Sequence, residues 1–131
     1  MQYEGVLMKT SLNHDHQKDR VLTKAILNLA NFYDLTGKDL HQIIGISEST
    51  ITRLNQGKAF ISPTTKEGEI ALLLLRVYRG LNSLMGTNHD KAKLWLNSYN
   101  KYFNKKPIDQ LKSLTGLVDV VSYIDAMRGK L

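Results

Sequence analysis

Apolar residues recur along this chain at the three- and four-residue spacing of an α-helix nearly everywhere, and no stretch sustains the two-residue alternation of a half-buried strand. The class this predicts is all-α. Residues 1 to about 18, with Asn13, His14, Asp15 and His16 side by side, carry no such pattern and read as an arm. From Asp19 onward, Leu22, Ile26, Leu29 and Phe32 predict a first amphipathic helix, ended by a turn at Asp34 to Gly37. Thr36 with Asp39 three residues on is a capping-box pattern that opens a short helix through Ile44, which Gly45 terminates. Ser47 caps a third helix to about Asn55, and a loop holding Pro63 comes next. The longest stripe, Ile70, Leu73, Leu74, Val77, Leu81 and Leu84, predicts a helix from about Thr65 to Met85 with Gly86 as its stop. Thr87 and Asp90 are placed to cap a further helix through Trp95 to Ser98. After an Asn/Lys/Tyr loop, Pro107 suits the first position of a short helix, and Leu117, Val121, Ile124 and Met127 mark a last one ending at Gly129.

Composition narrows the class without changing it. With 42% apolar and 23% charged residues among 131, the chain has the balance of one ordinary folded domain, or two very small ones sharing a core. It has no cysteine, which removes disulfides, thiolate chemistry and Cys-type zinc sites and fits a reducing compartment. The longest apolar run, Ile70 to Leu75, is far short of a membrane span, and the first residues lack the apolar centre of a secretory signal, so a cytoplasmic location without membrane contact is expected. The formal net charge of +6 suggests a polyanionic partner, but its distribution matters more. Residues 1–69 hold eight Lys and Arg against eight Asp and Glu, whereas residues 70–131 hold ten against four. The whole excess lies in the second half, so any argument for DNA binding by the first half must rest on local geometry.

That geometry is found between Gly37 and Gln56. Leu40, Ile44, Ile46, Ile51 and Leu54 fall where a helix-turn-helix clamps its two helices, and Gly45 falls where its tight turn takes positive φ. On the other face, Ser49, Thr52, Arg53 and Gln56 keep helical spacing and form a polar stripe able to lie in a major groove, with Arg53 able to fork onto guanine. The helix starts at Thr36 and Ser47 add backbone N–H groups for phosphate. Thr36, Lys38, Ser47, Ser49, Thr50, Thr52, Arg53 and Gln56 are therefore the candidate DNA contacts. His41 stands where such motifs usually place a small residue, which implies a wider crossing or an imidazole turned sideways. The competing reading is a plain helix pair with a solvated face.

The helix pair resembles the Xre class of helix-turn-helix regulators, and the later segments narrow the likeness. The runs from Ile70 to Leu81, Leu94 to Asn100, Lys106 to Leu111 and Gly116 to Lys130 resemble the Xre/MbcA/ParS antitoxin family; with the helix pair they cover most of residues 20 to 131. Tyr99 departs from a common proline and Asn104-Lys105 from a common glycine pair, but asparagine tolerates left-handed backbone, so the loop is expected to keep its path. The resemblance implies an arm over 1–18, a DNA-binding region over 19–65 and a helical toxin-binding domain over 66–131. It implies a cognate RES-domain toxin that consumes or transfers NAD, and operator DNA as second partner. Trp95, Asn97, Tyr102, Lys106 and the end Arg128, Gly129, Lys130 and Leu131 are the candidate toxin contacts.

Apart from the resemblance, the tail is basic and aromatic. Lys101, Tyr102, Lys105, Lys106 and Lys112 surround one loop, suited to an acidic protein surface or a phosphate backbone, or else simply a solvated rim. Trp95 reads as core or as surface, since Leu94, Trp95 and Leu96 cannot all point outward. The charged end past Met127 reads as an element entering a partner's cleft or as a frayed terminus. An enzyme is not expected: no phosphate loop, nucleophile elbow or paired carboxylates occur, and His14 and His16 lack ligands beyond Asp15 and Asp19 for a metal site. No cofactor is expected either. Since one helix-turn-helix seldom supplies enough contact area alone, a homodimer on a pseudo-palindromic operator is expected. The rival function is a stand-alone helix-turn-helix transcriptional regulator without a toxin partner.

Overall fold

The structure is a computed structural model that describes residues 2–86 and 88–129, with side chains described from His16 onward. The described residues form helices α1 (Gln2–Phe32), α2 (Gly37–Ile44), α3 (Glu48–Asn55), α4 (Lys66–Met85), α5 (His89–Asn97), α6 (Pro107–Gln110) and α7 (Leu114–Gly129). Among them the only sheet-like pairing is an isolated bridge between Asn100 and Lys105. The all-α expectation holds.

Local chemistry sets the helix ends. α1 stops because Asp34 turns left-handed, at φ 55°, letting the Leu35 N–H reach back to the Ala30 carbonyl at 2.9 Å. The capping box of α2 is complete: the Thr36 hydroxyl accepts the Asp39 N–H and the Asp39 carboxylate accepts the Thr36 N–H, each at 3.0 Å. Gly45 ends α2 at φ 85°, where its N–H returns to the His41 carbonyl, a conformation that costs a side-chain-bearing residue strain. Ser47 caps α3, Thr65 caps α4, and Pro107 occupies the first turn of α6.

Several elements differ from the reading of the sequence. The first helix begins at Gln2, not near Asp19: the stretch expected as an arm has no proline, and its apolar residues are not patternless, since Tyr3, Val6 and Leu7 keep helical spacing, as do Met8 and Leu12. Phe32 is 53% exposed, and Tyr33 takes the core position instead. The cap of α5 is Asn88, whose side chain accepts the Lys91 N–H at 3.2 Å; Thr87, read as the cap, lies outside the described residues. Met127 is 38% exposed, so the buried line of α7 is Leu117, Val120, Val121 and Ile124.

α4 is the axis of the fold, packing against α1, α2, α5 and α7. Because neighbours surround it, its buried line is Ala71, Leu74, Val77, Tyr78 and Leu81, while Ile70, Leu73 and Leu84 of the expected stripe sit at the margin of the core. Its most extensive helix contact is with α7. A Cβ added at Gly80 would lie 2.3 Å from Ile124 Cγ2, so only glycine admits this approach. Arg76 and Asp125, 2.6 Å apart, bridge the same seam at the surface.

Candidate functional site

The α2–α3 pair has the two faces its sequence implies. Leu40, Ile43, Ile44, Ile51 and Leu54 are buried and Ile46 is half-buried, which fixes the helices against each other and the core. Ser49, Thr52, Arg53 and Gln56 are all exposed. Their hydrogen bonds are short-range: the Thr52 hydroxyl donates to the Glu48 carbonyl at 3.2 Å, and Arg53 Nη2 reaches the Lys58 carbonyl at only 3.5 Å. The guanidinium thus retains most of its donors for another partner. Ser47 is engaged as a cap, its Oγ accepting the Thr50 N–H at 3.1 Å with the Ser49 and Thr50 hydroxyls beside it. Thr50 lies apart from the stripe, half-buried beside Ile46, Leu54, Phe60 and Ile61. Thr36 and Lys38 are exposed at the start of α2. His41 resolves the crowding at the turn by pointing sideways: Nδ1 donates to the Ile46 carbonyl at 2.7 Å, pinning the residue that leads into α3.

A second surface is built on the loop between α5 and α6. Asn100 organises it, its side-chain oxygen accepting the N–H groups of Tyr102 (2.9 Å) and Phe103 (3.4 Å), while its carbonyl accepts the Asn104 N–H at 2.8 Å. Asn104 is left-handed, at φ 57°, the conformation expected of it, and its side chain accepts the Tyr99 hydroxyl. This frame presents Tyr102, 71% exposed, above an aromatic cluster. Tyr123 of α7 is the hub, with ring centroids 4.9 Å from Tyr102, 5.3 Å from Phe103 and 6.1 Å from Trp95. Trp95 is therefore half-buried, between its two expected readings. Tyr123 was not legible as part of this surface, because it falls off the apolar stripe of its own helix. Lys101, Lys105 and Lys106 are exposed around the loop and form no ion pair among the described residues. Asn97 is exposed on α5, its amide donating to the Lys93 carbonyl at 2.8 Å. Arg128 and Gly129 are exposed at the end of α7, where Arg128 passes over Gly80; Lys130 and Leu131 lie outside the described residues.

Between the two surfaces lies a polar and aromatic junction. Tyr33 donates its phenol hydrogen to Asn82 Oδ1 at 2.7 Å, and its ring meets Tyr78 and His89. Burial raises the Tyr33 pKa, and burial first, then the charge of Tyr33 and Asp39, pushes that of Tyr78 far above the ordinary phenol value. The Tyr78 hydroxyl and His89 Nδ1 are buried without a hydrogen-bond partner. At the rim, Lys93 Nζ lies 3.1 Å from Asp34, and Lys112 Nζ lies 3.5 Å from both Asp39 and Asp109. Burial alone would raise the Asp39 pKa, but hydrogen bonds from Thr36 and the Lys112 charge outweigh it, and the carboxyl ends below its ordinary value.

Among the described residues no three His, Asp or Glu side chains converge to hold a metal ion, and no helix is long and apolar enough to cross a membrane. His14 lies among the residues whose side chains are not described.

Comparison with known families agrees with this division of surfaces. The model of the antitoxin Xre-like helix-turn-helix domain matches residues 13–76, and that of the antitoxin Xre/MbcA/ParS C-terminal toxin-binding domain matches residues 81–130. No curated protein matches the chain. The α2–α3 pair lies within the first match and the aromatic loop within the second. With a DNA-binding helix-turn-helix and a toxin-binding domain joined in one chain, this protein belongs to the Xre/MbcA/ParS antitoxin family.

Proposed function

We propose that this antitoxin neutralises a cognate RES-domain, NAD-consuming toxin by obstructing its active site, and represses its own operon as a homodimer on a pseudo-palindromic operator. It does so in the cytoplasm, with no catalysis or cofactor of its own. The observation that carries the reading is the joining of a helix-turn-helix match to a toxin-binding match within one chain. Physical features support each part. The exposed stripe Ser49, Thr52, Arg53 and Gln56 has the length and donor content to read base edges, while Thr36, Lys38, Ser47 and Thr50 secure the two helix starts near phosphates. Around Trp95, Asn97, Tyr102 and Lys106, a rigid aromatic anchor ringed by lysines suits an acidic protein surface with an apolar pocket at its centre. Arg128 and Gly129 are exposed past the last buried turn of α7, and with Lys130 and Leu131 they are the residues proposed to enter the toxin's cleft. The division of labour falls at Thr65, the cap of α4, with residues 19–65 reading DNA and 66–131 holding toxin.

The test is co-expression with the product of the neighbouring reading frame. The two proteins are expected to co-purify, the antitoxin to restore growth, and removal of residues 128–131 to abolish rescue while leaving operator binding intact. Failure to find any co-purifying NAD-consuming partner, with operator binding retained, would favour a stand-alone regulator. Full rescue by the truncated chain at equal expression would move inhibition from the chain's end to the aromatic loop.

A further inference from the structure

The entry to the helix-turn-helix is held from both ends by lysines of the toxin-binding half. Asp34 lies in the turn between α1 and α2 and Asp39 in the first turn of α2, and each of these carboxylates is met by one lysine from far along the chain. Lys93 of α5 reaches Asp34 at 3.1 Å, and Lys112, in the turn between α6 and α7, reaches Asp39 at 3.5 Å. Asp39 divides its two oxygens between two tasks. Oδ2 accepts the Thr36 N–H and so completes the capping box of α2, while Oδ1 faces Lys112. A carboxylate with one oxygen on a helix N-terminus and the other on a lysine cannot move without disturbing both. The side chains are 23% and 28% exposed, so the pair is partly shielded from water and salt.

We propose that Lys112 is a positioning residue for DNA recognition: through Asp39 it lets the toxin-binding half hold the first helix of the reading pair at its working angle. Lys112 does not itself touch DNA, because Asp39 and Asp109 occupy it from two sides. Displacing it frees the Asp39 side chain to rotate, loosens the first turn of α2, and lets the α2–α3 unit pivot about its apolar contact with α4. The inference rests on the reading of α2–α3 as the DNA-binding pair, and its test separates the two.

The test uses the full chain, its Lys112→Met, Lys112→Arg, Asp39→Asn and Lys112→Met/Asp39→Asn variants, and a fluorescent duplex covering the DNA just upstream of its own reading frame. Lys112→Met is expected to weaken binding about fivefold, the lower end of measured coupling between sites. Lys112→Arg should bind as the parent does, and Lys112→Met should cost nothing further in the Asp39→Asn background. The slope of log affinity against log salt should be the same for Lys112→Met and the parent, whereas loss of a direct phosphate contact lowers it by about one. Amide exchange gives a readout without DNA: Lys112→Met should speed exchange across residues 36–44 and leave residues 117–124 unchanged. A reduced salt slope, or an equal loss in the Asp39→Asn background, overturns the proposal, as does unchanged exchange over 36–44. If the parent ignores the duplex while exchange still responds as expected, the clasp stands and the DNA reading falls.

Discussion

Substituting Gly80 by alanine tests the close seam between α4 and α7. The new methyl would lie 2.3 Å from Ile124 Cγ2, against the roughly 3.5–4.0 Å at which carbon atoms rest. Ile124 is fully buried, and its β-branched side chain has essentially one rotamer in a helix, so it cannot step aside. The two helices must part by more than an ångström. Overpacking of this kind costs about 1–3 kcal/mol, and the size of the overlap places it at the upper end. Against this, alanine gains about 1 kcal/mol over glycine in a helix interior. The net expectation is a loss of about 2 kcal/mol, read as a lower urea midpoint at unchanged slope. The same substitution should change sign in an Ile124→Ala background, where Cγ2 is gone and the helical gain of about 1 kcal/mol remains. A Gly80→Ala protein more stable than its parent would refute the reasoning, since it would mean that the helices are not held at this distance.

Three further outcomes are expected. Arg53→Ala should weaken operator binding by roughly 1–3 kcal/mol and blur its sequence preference without affecting partner capture; unchanged operator affinity would remove Arg53 from the reading surface. Tyr78→Phe should be neutral or stabilising by up to about 1 kcal/mol, because it deletes a buried hydroxyl that has no partner, and a clear destabilisation would reveal one. The Tyr78 pKa is raised in the fold, so its contribution is complete below the unfolded value near 10 and is lost above it; the variant should therefore resist alkaline unfolding better than the parent. Asp39 titrates below its unfolded value, so its contribution is present above roughly pH 4 and disappears as pH falls through the lower folded value; Asp39→Asn should flatten that acid limb of the urea midpoint, and an unaltered limb would show that other carboxylates govern it.

Much of the fold was legible because its signals are local. Thr36 with Asp39, Gly45, Ser47 and Pro107 each act within one helical turn, and all of them sit where their chemistry places them. Apolar spacing located each helix, but not always its buried face. Tyr33 takes the core position rather than Phe32 because it lies seven residues after Ile26 on the same helical line, its N–H still bonded to the Leu29 carbonyl, and α4 buries a broader arc than one stripe because it has neighbours on several sides. The start of α1 was missed for a different reason: the apolar spacing of Tyr3, Val6 and Leu7, then of Met8 and Leu12, stops at Leu12, before the polar run from Asn13 to Arg20 that precedes the next apolar positions. The polar stripe of α3 was readable from spacing alone, whereas the aromatic cluster was only half readable. Its hub, Tyr123, reaches Tyr102 and Trp95 by tertiary packing that no periodicity encodes.

Charge shows the same gap between sequence and packing, because its count by segment is accurate yet misleading about what the charges meet. The second half holds the entire excess of six, but two of its lysines, Lys93 and Lys112, are turned onto Asp34 and Asp39 of the first half. Those pairs quiet the two carboxylates beside the start of α2, where a phosphate backbone would otherwise meet like charge. Of the acids nearest the helix pair, Asp34 and Asp39 are paired, whereas Glu48, exposed in the first turn of α3, forms no ion pair among the described residues. Among the described residues, three of the second half's cations that form no ion pair, Lys101, Lys105 and Lys106, gather around the exposed ring of Tyr102. An aromatic anchor inside a ring of lysines is the arrangement of a protein-binding surface, with burial at the centre and long-range attraction at the rim. Under the proposed function, the basic half divides its charge between quieting the acids beside the start of α2 and attracting a second macromolecule, and the net charge of the chain describes neither by itself.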